Sequence, residues 1–335
     1  MKTIIVSEFG EPEVMKLEEI QTPEPTASQV LVRIHAAGVN PVETYIRSGN
    51  YASKPDLPYT PGKDAAGVVE AVGESVNRFK IGDRVYTANS ISGTYAEFTL
   101  CNEGDLGRLP ENVSFEQGAG IWTPYATSYR ALFQKAGAKS GETVLIHGAS
   151  GGVGIAAVQW AKNAGLKVIG TASSDEGKKL VAEQGADYVT DHLGSDDGVS
   201  LKSDVTPLLT RGLSHGESGL PLVDVIIEML ANVNLQKDFE VLKMFGRVVV
   251  VGNRGSLDFN PRAIMGKDAT VYGMALYNAP QGDFDEIHAA IFEGLSNEYL
   301  KPVVKKSFPL SEAAAAHHEV IEGKALGKIV LIPSL

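Results

Sequence analysis

Residues 143–154 read Thr-Val-Leu-Ile-His-Gly-Ala-Ser-Gly-Gly-Val-Gly. An apolar run meets glycines at 148, 151, 152 and 154, and helical residues follow from Ile155. Glycines at a strand–helix turn let backbone N–H groups approach a pyrophosphate without Cβ clashes, and a helix N-terminus attracts its charge. The strict G-x-G-x-x-G spacing is not met, so the motif alone also suits a plain tight turn.

A second chemical question lies at the next strand tip, Gly170-Thr171-Ala172-Ser173-Ser174. A dinucleotide with a free ribose 2′-OH is commonly met there by Asp or Glu. Asp175 and Glu176 come just afterwards and read as the start of a helix, where carboxylates suit the dipole. Lys178 stands one turn further in and can meet a 2′-phosphate. Read alone, it is equally an ordinary solvated helix charge. The tip favours the phosphorylated cofactor, with Asp175 arguing the other way.

The elements that must position these residues alternate. The pattern predicts strands over 143–147, 167–172, 188–190, 223–228, 247–252 and 270–275, with helices over 155–164, 176–184 and 235–244. Such a β/α order is expected to form a doubly wound parallel sheet with right-handed crossovers. Residues 1–122 read as β-rich, with strands over 30–36, 64–73 and 83–88 and turns at Gly82-Asp83 and Ser92-Gly93. A compact barrel-like domain is expected from them. Residues 125–134 have helical spacing, with Tyr125, Tyr129, Leu132 and Phe133 on one side. The strand at 328–332 is expected to return to the first domain. Residues 193–221, rich in Gly, Ser, Asp and Pro, read as a surface insertion.

Composition narrows the function classes. A chain of 335 residues corresponds to roughly two domains. A net charge of −11 opposes nonspecific nucleic-acid binding. One cysteine, Cys101, excludes an intrachain disulfide and a multi-thiolate zinc site. The N-terminal apolar run is too short for a signal peptide, and no 18-residue apolar stretch predicts a membrane span. A cytoplasmic enzyme or binding protein is the expectation.

The segments Ala36–Gly49, Leu57–Gly62, His147–Gly154 and Ile227–Asn234 resemble one family closely. It is the zeta-crystallin type of NADPH:quinone oxidoreductase, within the medium-chain dehydrogenase/reductase superfamily. The resemblance runs from Met1 to Leu331, interrupted near 193–221. It implies an α/β protein with a GroES-like β-barrel domain (residues 1–122 plus 277–335) and a Rossmann domain (123–276), the nicotinamide lying in the cleft between them. It also implies NADPH as cofactor, small quinones as substrates, no zinc, and a homodimer or homotetramer.

Carried over residue by residue, the resemblance puts Ser150, Gly151, Gly152 and Val153 on the pyrophosphate. It puts Ser173, Lys178 and His192 at the 2′-phosphate. Tyr45, Asn234, Val251, Gly252, Asn253, Arg254, Met274, Ala275 and Leu276 would contact the rest of the cofactor. Read without the resemblance, the apolar members of this set are ordinary core. Asn40, Tyr45 and Tyr51 are the catalytic candidates, the tyrosines as donors or stacking partners; Tyr51 equally reads as an aromatic covering a domain edge. Zinc alcohol dehydrogenases of the superfamily carry Cys where Asn40 stands and Gly-His-Glu where Gly62-Lys63-Asp64 stands. Both the metal set and their four-cysteine lobe are missing here, and His317 and His318 read as residues of a solvated helix. An alkenal or enone reductase is the competing enzyme class, since it needs an acid placed near the nicotinamide. A third class is AU-rich RNA binding or a lens structural role, as in some relatives; the acidity counts against RNA.

Overall fold

A computed structural model describes residues 1–191 and 222–334. Two compact units are present: Met1–Thr123 with His288–Leu335, and Pro124–Ile287. Through the first unit run β1 (Lys2–Val6), β2 (Met15–Glu19), β3 (Gln29–Val39), β4 (Ala65–Val72), β5 (Arg84–Thr87), β6 (Phe98–Asn102) and β7 (Leu106–Arg108). The second unit contributes β8 (Thr143–Ile146), β9 (Lys167–Thr171), β10 (Tyr188–Thr190), β11 (Val223–Glu228), β12 (Leu242–Val250) and β13 (Thr270–Gly273). The chain then returns to the first unit with β14 (Val304–Pro309) and β15 (Lys328–Ile332).

The first unit is built on β3. This long strand pairs antiparallel with β4, β6 and β15, and bulges between Leu31 and Val32 and between Ile34 and Ala36 let it change partners. The sheet path is β14-β15-β3-β4-β5-β7. Its apolar faces bury Val30, Val32, Val69, Val85 and Leu106 on one side, and Ile34, Val39, Ala65, Phe308 and Leu331 in a separate cluster.

In the second unit the described strands lie in the order β10-β9-β8-β11-β12-β13, and every pairing is parallel. All four residues of β8 are buried, as a strand covered on both faces requires. Leu145, Ile169, Ile226 and Val248 join Phe239 of the following helix in the core. The order reverses between β8 and β11, so the carboxyl ends of these strands form a topological switch point, where ligands bind in open α/β sheets.

Several boundaries differ from the sequence reading for identifiable reasons. The helix expected from Ile155 begins at Gly152, because the glycine turn itself forms its first turn. The helix expected over 235–244 spans Ala231–Val241 instead. Leu242 fits helical spacing but pairs with Val223, so the strand starts there. The stretch 125–134 is helical with π-type turns over Arg130–Lys135, which apolar spacing does not distinguish from α. The insertion expected at 193–221 lies outside the described residues.

Candidate cofactor site

The glycine turn sits at the switch point. Gly148 has φ +57, the left-handed region that a side chain resists. The turn is tied to β9: the Gly148 N–H donates to Thr171 Oγ1 at 3.1 Å, and the Ala149 N–H to the Thr171 carbonyl at 2.8 Å. The helix Gly152–Asn163 starts at once, and Gly151 at its cap offers no side-chain acceptor. Its first N–H groups are therefore left for an acceptor outside the helix.

The glycines here have different duties. A Cβ on Gly154 would lie 2.3 Å from the Gly148 carbonyl oxygen, so this glycine permits the turn to close. A Cβ on Gly152 would meet only the Pro124 ring, at 3.4 and 3.8 Å, and the residue has no left-handed φ. The fold thus tolerates a side chain at 152 and excludes one at 154. Gly152 presents bare backbone beside the free N–H groups, the cradle a pyrophosphate needs.

The second strand tip carries the residues expected at a 2′-phosphate. Ser173 is exposed, and Ser174 caps the next helix by accepting from the Gly177 N–H at 3.1 Å. Asp175 is the first residue of that helix, Asp175–Glu183, with a fully exposed side chain. Lys178 Nζ lies 2.9 Å from Asp191 Oδ1 and 3.6 Å from Asp175 Oδ1. The Asp191 hydrogen bond holds its pKa above the usual lysine range. His192, the other expected phosphate residue, lies outside the described residues.

The remaining expected cofactor residues gather at the same carboxyl edge of the sheet. Asn234 belongs to the helix after β11, Val251, Gly252, Asn253 and Arg254 follow β12, and Met274, Ala275 and Leu276 follow β13. Gly252 again permits a close approach, since a Cβ would fall 2.3 Å from the Met229 carbonyl oxygen. Asn232 and Asn253 lace the loops together: Asn253 Oδ1 accepts from the Asn232 N–H, and Asn232 Oδ1 from the Arg254 N–H, each at 3.0 Å. Met274 is buried and Arg254 exposed.

Beneath this edge lies a polar cluster that the sequence reading missed. His147, Glu228 and Asp238 are all buried, and their ligand-capable atoms lie within 4.8 Å of one another. His147 Nε2 is 2.8 Å from Asp238 Oδ1 and 3.4 Å from Glu228 Oε2. Burial raises both carboxyl groups to about 7 and lowers the imidazole. Glu228 Oε1 accepts from the Leu230 N–H and from Asn234 Nδ2, the latter at 3.2 Å. Asn234 is thereby fixed from below. The available signal was a histidine directly after β8 and a glutamate at the end of β11.

In the first unit, Asn40 is held by a network of buried polar side chains. It is buried at the start of the helix Pro41–Arg47. Its Nδ2 donates to Asp64 Oδ2 at 3.1 Å and to Glu43 Oε1 at 3.3 Å, while Oδ1 accepts from Lys328 Nζ. Asp64 also accepts from the Thr123 N–H and hydroxyl, at 3.1 and 2.7 Å. Glu43 Oε2 accepts from Tyr95 at 2.6 Å, and Tyr95 meets His317 Nε2 at 3.1 Å. His317 is therefore buried, not solvated, and burial lowers its pKa to about 3. His318 is exposed between Glu13 and Glu322. Tyr45 is half-buried on the helix Asn40 begins, and Tyr51 lies just beyond it.

This network bears on the expectation of no zinc. The corresponding Cys and Gly-His-Glu positions hold Asn40 and Gly62-Lys63-Asp64, and the Lys328 ammonium lies against Asn40 and, at 3.5 Å, Asp64. A lysine cation between these side chains does not fit a zinc ligand set, which needs three N, S or O ligands. Dialysis against a chelator is expected to leave the steady-state rate unchanged. Stoichiometric zinc, with activity lost on its removal, would overturn this.

Comparison with known proteins agrees with the architecture. Residues 26–133 match the family "Alcohol dehydrogenase GroES-like domain", and residues 152–293 match "Zinc-binding dehydrogenase". The chain is 48% identical over 334 residues to a quinone oxidoreductase of Homo sapiens, covering 99% of this chain and 98% of that protein. It is 32% identical to a quinone oxidoreductase of Pseudomonas aeruginosa, covering 99% of each. A solved Escherichia coli quinone oxidoreductase complexed with NADPH superposes with a TM-score of 0.86 at 29% identity, covering 99% of this chain and 100% of that one.

Proposed function

Since this chain belongs to the quinone oxidoreductase family of the medium-chain dehydrogenases and reductases, we propose that it reduces small quinones with NADPH and without zinc. The observation that carries the reading is identity of 48% along essentially the whole chain, with the glycine turn at the switch point of a parallel sheet. When bound, NADPH supplies the hydride; the protein supplies its position.

We assign the pyrophosphate to the N–H groups of Gly152 and Val153, with Ser150 and Gly151 beside them. The 2′-phosphate is assigned to Lys178 and Ser173, and the loops after β11, β12 and β13 to the ribose and nicotinamide. The cluster under Asn234 keeps that edge in place. In the first unit, Asn40 acts as a positioning residue for the helix that carries Tyr45.

A quinone gains charge on oxygens that water can protonate, so the reaction needs no protein acid. Tyr45 therefore shapes the pocket by packing. Tyr45→Phe is expected to keep most of its rate, and Tyr45→Ala to raise KM. Loss of an acid costs about 10²–10⁴-fold. A fall of that size in Tyr45→Phe, with cofactor still bound, would make the tyrosine a true acid and favour an enone reductase.

The direct test of substrate class is NADPH oxidation with ortho- and para-quinones against one alkenal. Faster turnover of the quinones supports the proposal, and preference for the alkenal rejects it. A homodimer or homotetramer in the cytoplasm completes the reading. RNA is not proposed as a partner, given the net charge of −11.

A further inference from the structure

The phosphate-binding lysine is already engaged. Lys178 Nζ lies 2.9 Å from Asp191 Oδ1 and 3.0 Å from Oδ2, so both carboxylate oxygens face the ammonium. Asp191 directly follows β10, whose Thr190 pairs with Thr171 at the end of β9. The Ala172 N–H donates to the Thr190 carbonyl at 3.0 Å. Backbone pairing thus sets the Asp191 carboxylate beside the strand tip that ends in Ser173.

We propose that Asp191 is a specificity-determining residue: it holds Lys178 in the free protein and opposes the 2′-phosphate, moderating the preference for NADPH over NADH. The inference rests on the reading that Lys178 meets the 2′-phosphate. A phosphate monoester carries about −1.5 to −2 charges at neutral pH. To reach the ammonium it must share that cation with a carboxylate already in contact, and the two anions repel. NADH has only a hydroxyl at this position and meets no such conflict.

The size of the effect follows from exposure. The Lys178 and Asp191 side chains are 31% and 27% exposed, so water screens the pair substantially. Partly exposed charge pairs of this kind change equilibria by roughly 1.5- to fivefold. Asp175 is a weaker competitor, being farther from the ammonium and fully exposed.

The test is direct titration of NADPH and NADH, without quinone, into the wild type, Asp191→Asn and Lys178→Ala. Asp191→Asn is expected to tighten NADPH about 1.5- to fivefold and leave NADH unchanged, with the gain shrinking as salt is added. Lys178→Ala is expected to loosen NADPH. If Lys178→Ala loosens NADPH while Asp191→Asn leaves it unchanged or weaker, the role of Asp191 is rejected and the phosphate site stands. Equal tightening of both cofactors would also reject it. If Lys178→Ala leaves NADPH unchanged, the phosphate assignment fails, and this inference with it. Asp191→Ser, read the same way, guards against a folding defect peculiar to Asn.

Discussion

Gly152→Val is expected to abolish NADPH binding while leaving the protein folded. The two halves of this result have separate causes. Gly152 is the first residue of the helix Gly152–Asn163, lacks a left-handed φ, and would place a Cβ no closer than 3.4 Å to the Pro124 ring. The fold therefore loses little beyond the modest helix propensity of valine. The ligand loses the bare backbone on which its pyrophosphate must lie, because valine methyls would stand beside the free N–H groups of the first turn. Near-native circular dichroism with no enhancement of NADPH fluorescence is the expected outcome. Gly154→Val should behave oppositely, since its Cβ would meet the Gly148 carbonyl oxygen at 2.3 Å and disrupt the turn itself. Binding of NADPH to Gly152→Val within about twofold of the wild type would make the motif a structural turn only.

Lys178→Ala is expected to weaken NADPH binding by about tenfold or more while NADH is nearly unaffected. Charge-assisted hydrogen bonds to phosphate contribute roughly 1.5–3 kcal/mol. The existing pair with Asp191 offsets part of that gain, which places the expectation toward the lower end. The tip of β9 explains the selectivity: Ser173 stands where a carboxylate would accept from a ribose 2′-OH, and Asp175 is turned out into solvent. Binding constants for both cofactors in the variant check this directly. Equal losses for NADPH and NADH would show that Lys178 acts on something common to both.

Local pattern made most of the second unit readable. The strands Tyr188–Thr190 and Val223–Glu228 match the sequence reading residue for residue, each rich in β-branched or aromatic residues. Boundaries failed where a residue satisfied two patterns at once. Leu242 suits the periodicity of the helix before it, and only its pairing with Val223 settles its state. Gly152 breaks helical propensity, yet it is helical because the turn feeds straight into the helix.

The polar networks were illegible for a different reason. His147 meets Asp238 across 91 residues, and Lys328 reaches Asn40 across 288. No spacing rule spans such separations, and the residue types are unremarkable singly. The three buried partners of Asn40 were likewise invisible to spacing. His317 read as solvated because its neighbour His318 is; the helix turns one toward Tyr95 and the other toward Glu13. The position of the glycine turn was legible, whereas the cluster that supports Asn234 became visible only with the fold.

The central claim is that this chain uses NADPH to reduce quinones by means of its own residues. The most direct measurement is kcat/KM for NADPH and for NADH with a single ortho-quinone, on chelator-treated protein. A clear preference for NADPH, with full activity in the absence of metal, is the predicted result. Equal values for the two cofactors, or no quinone-dependent oxidation of either, would contradict it.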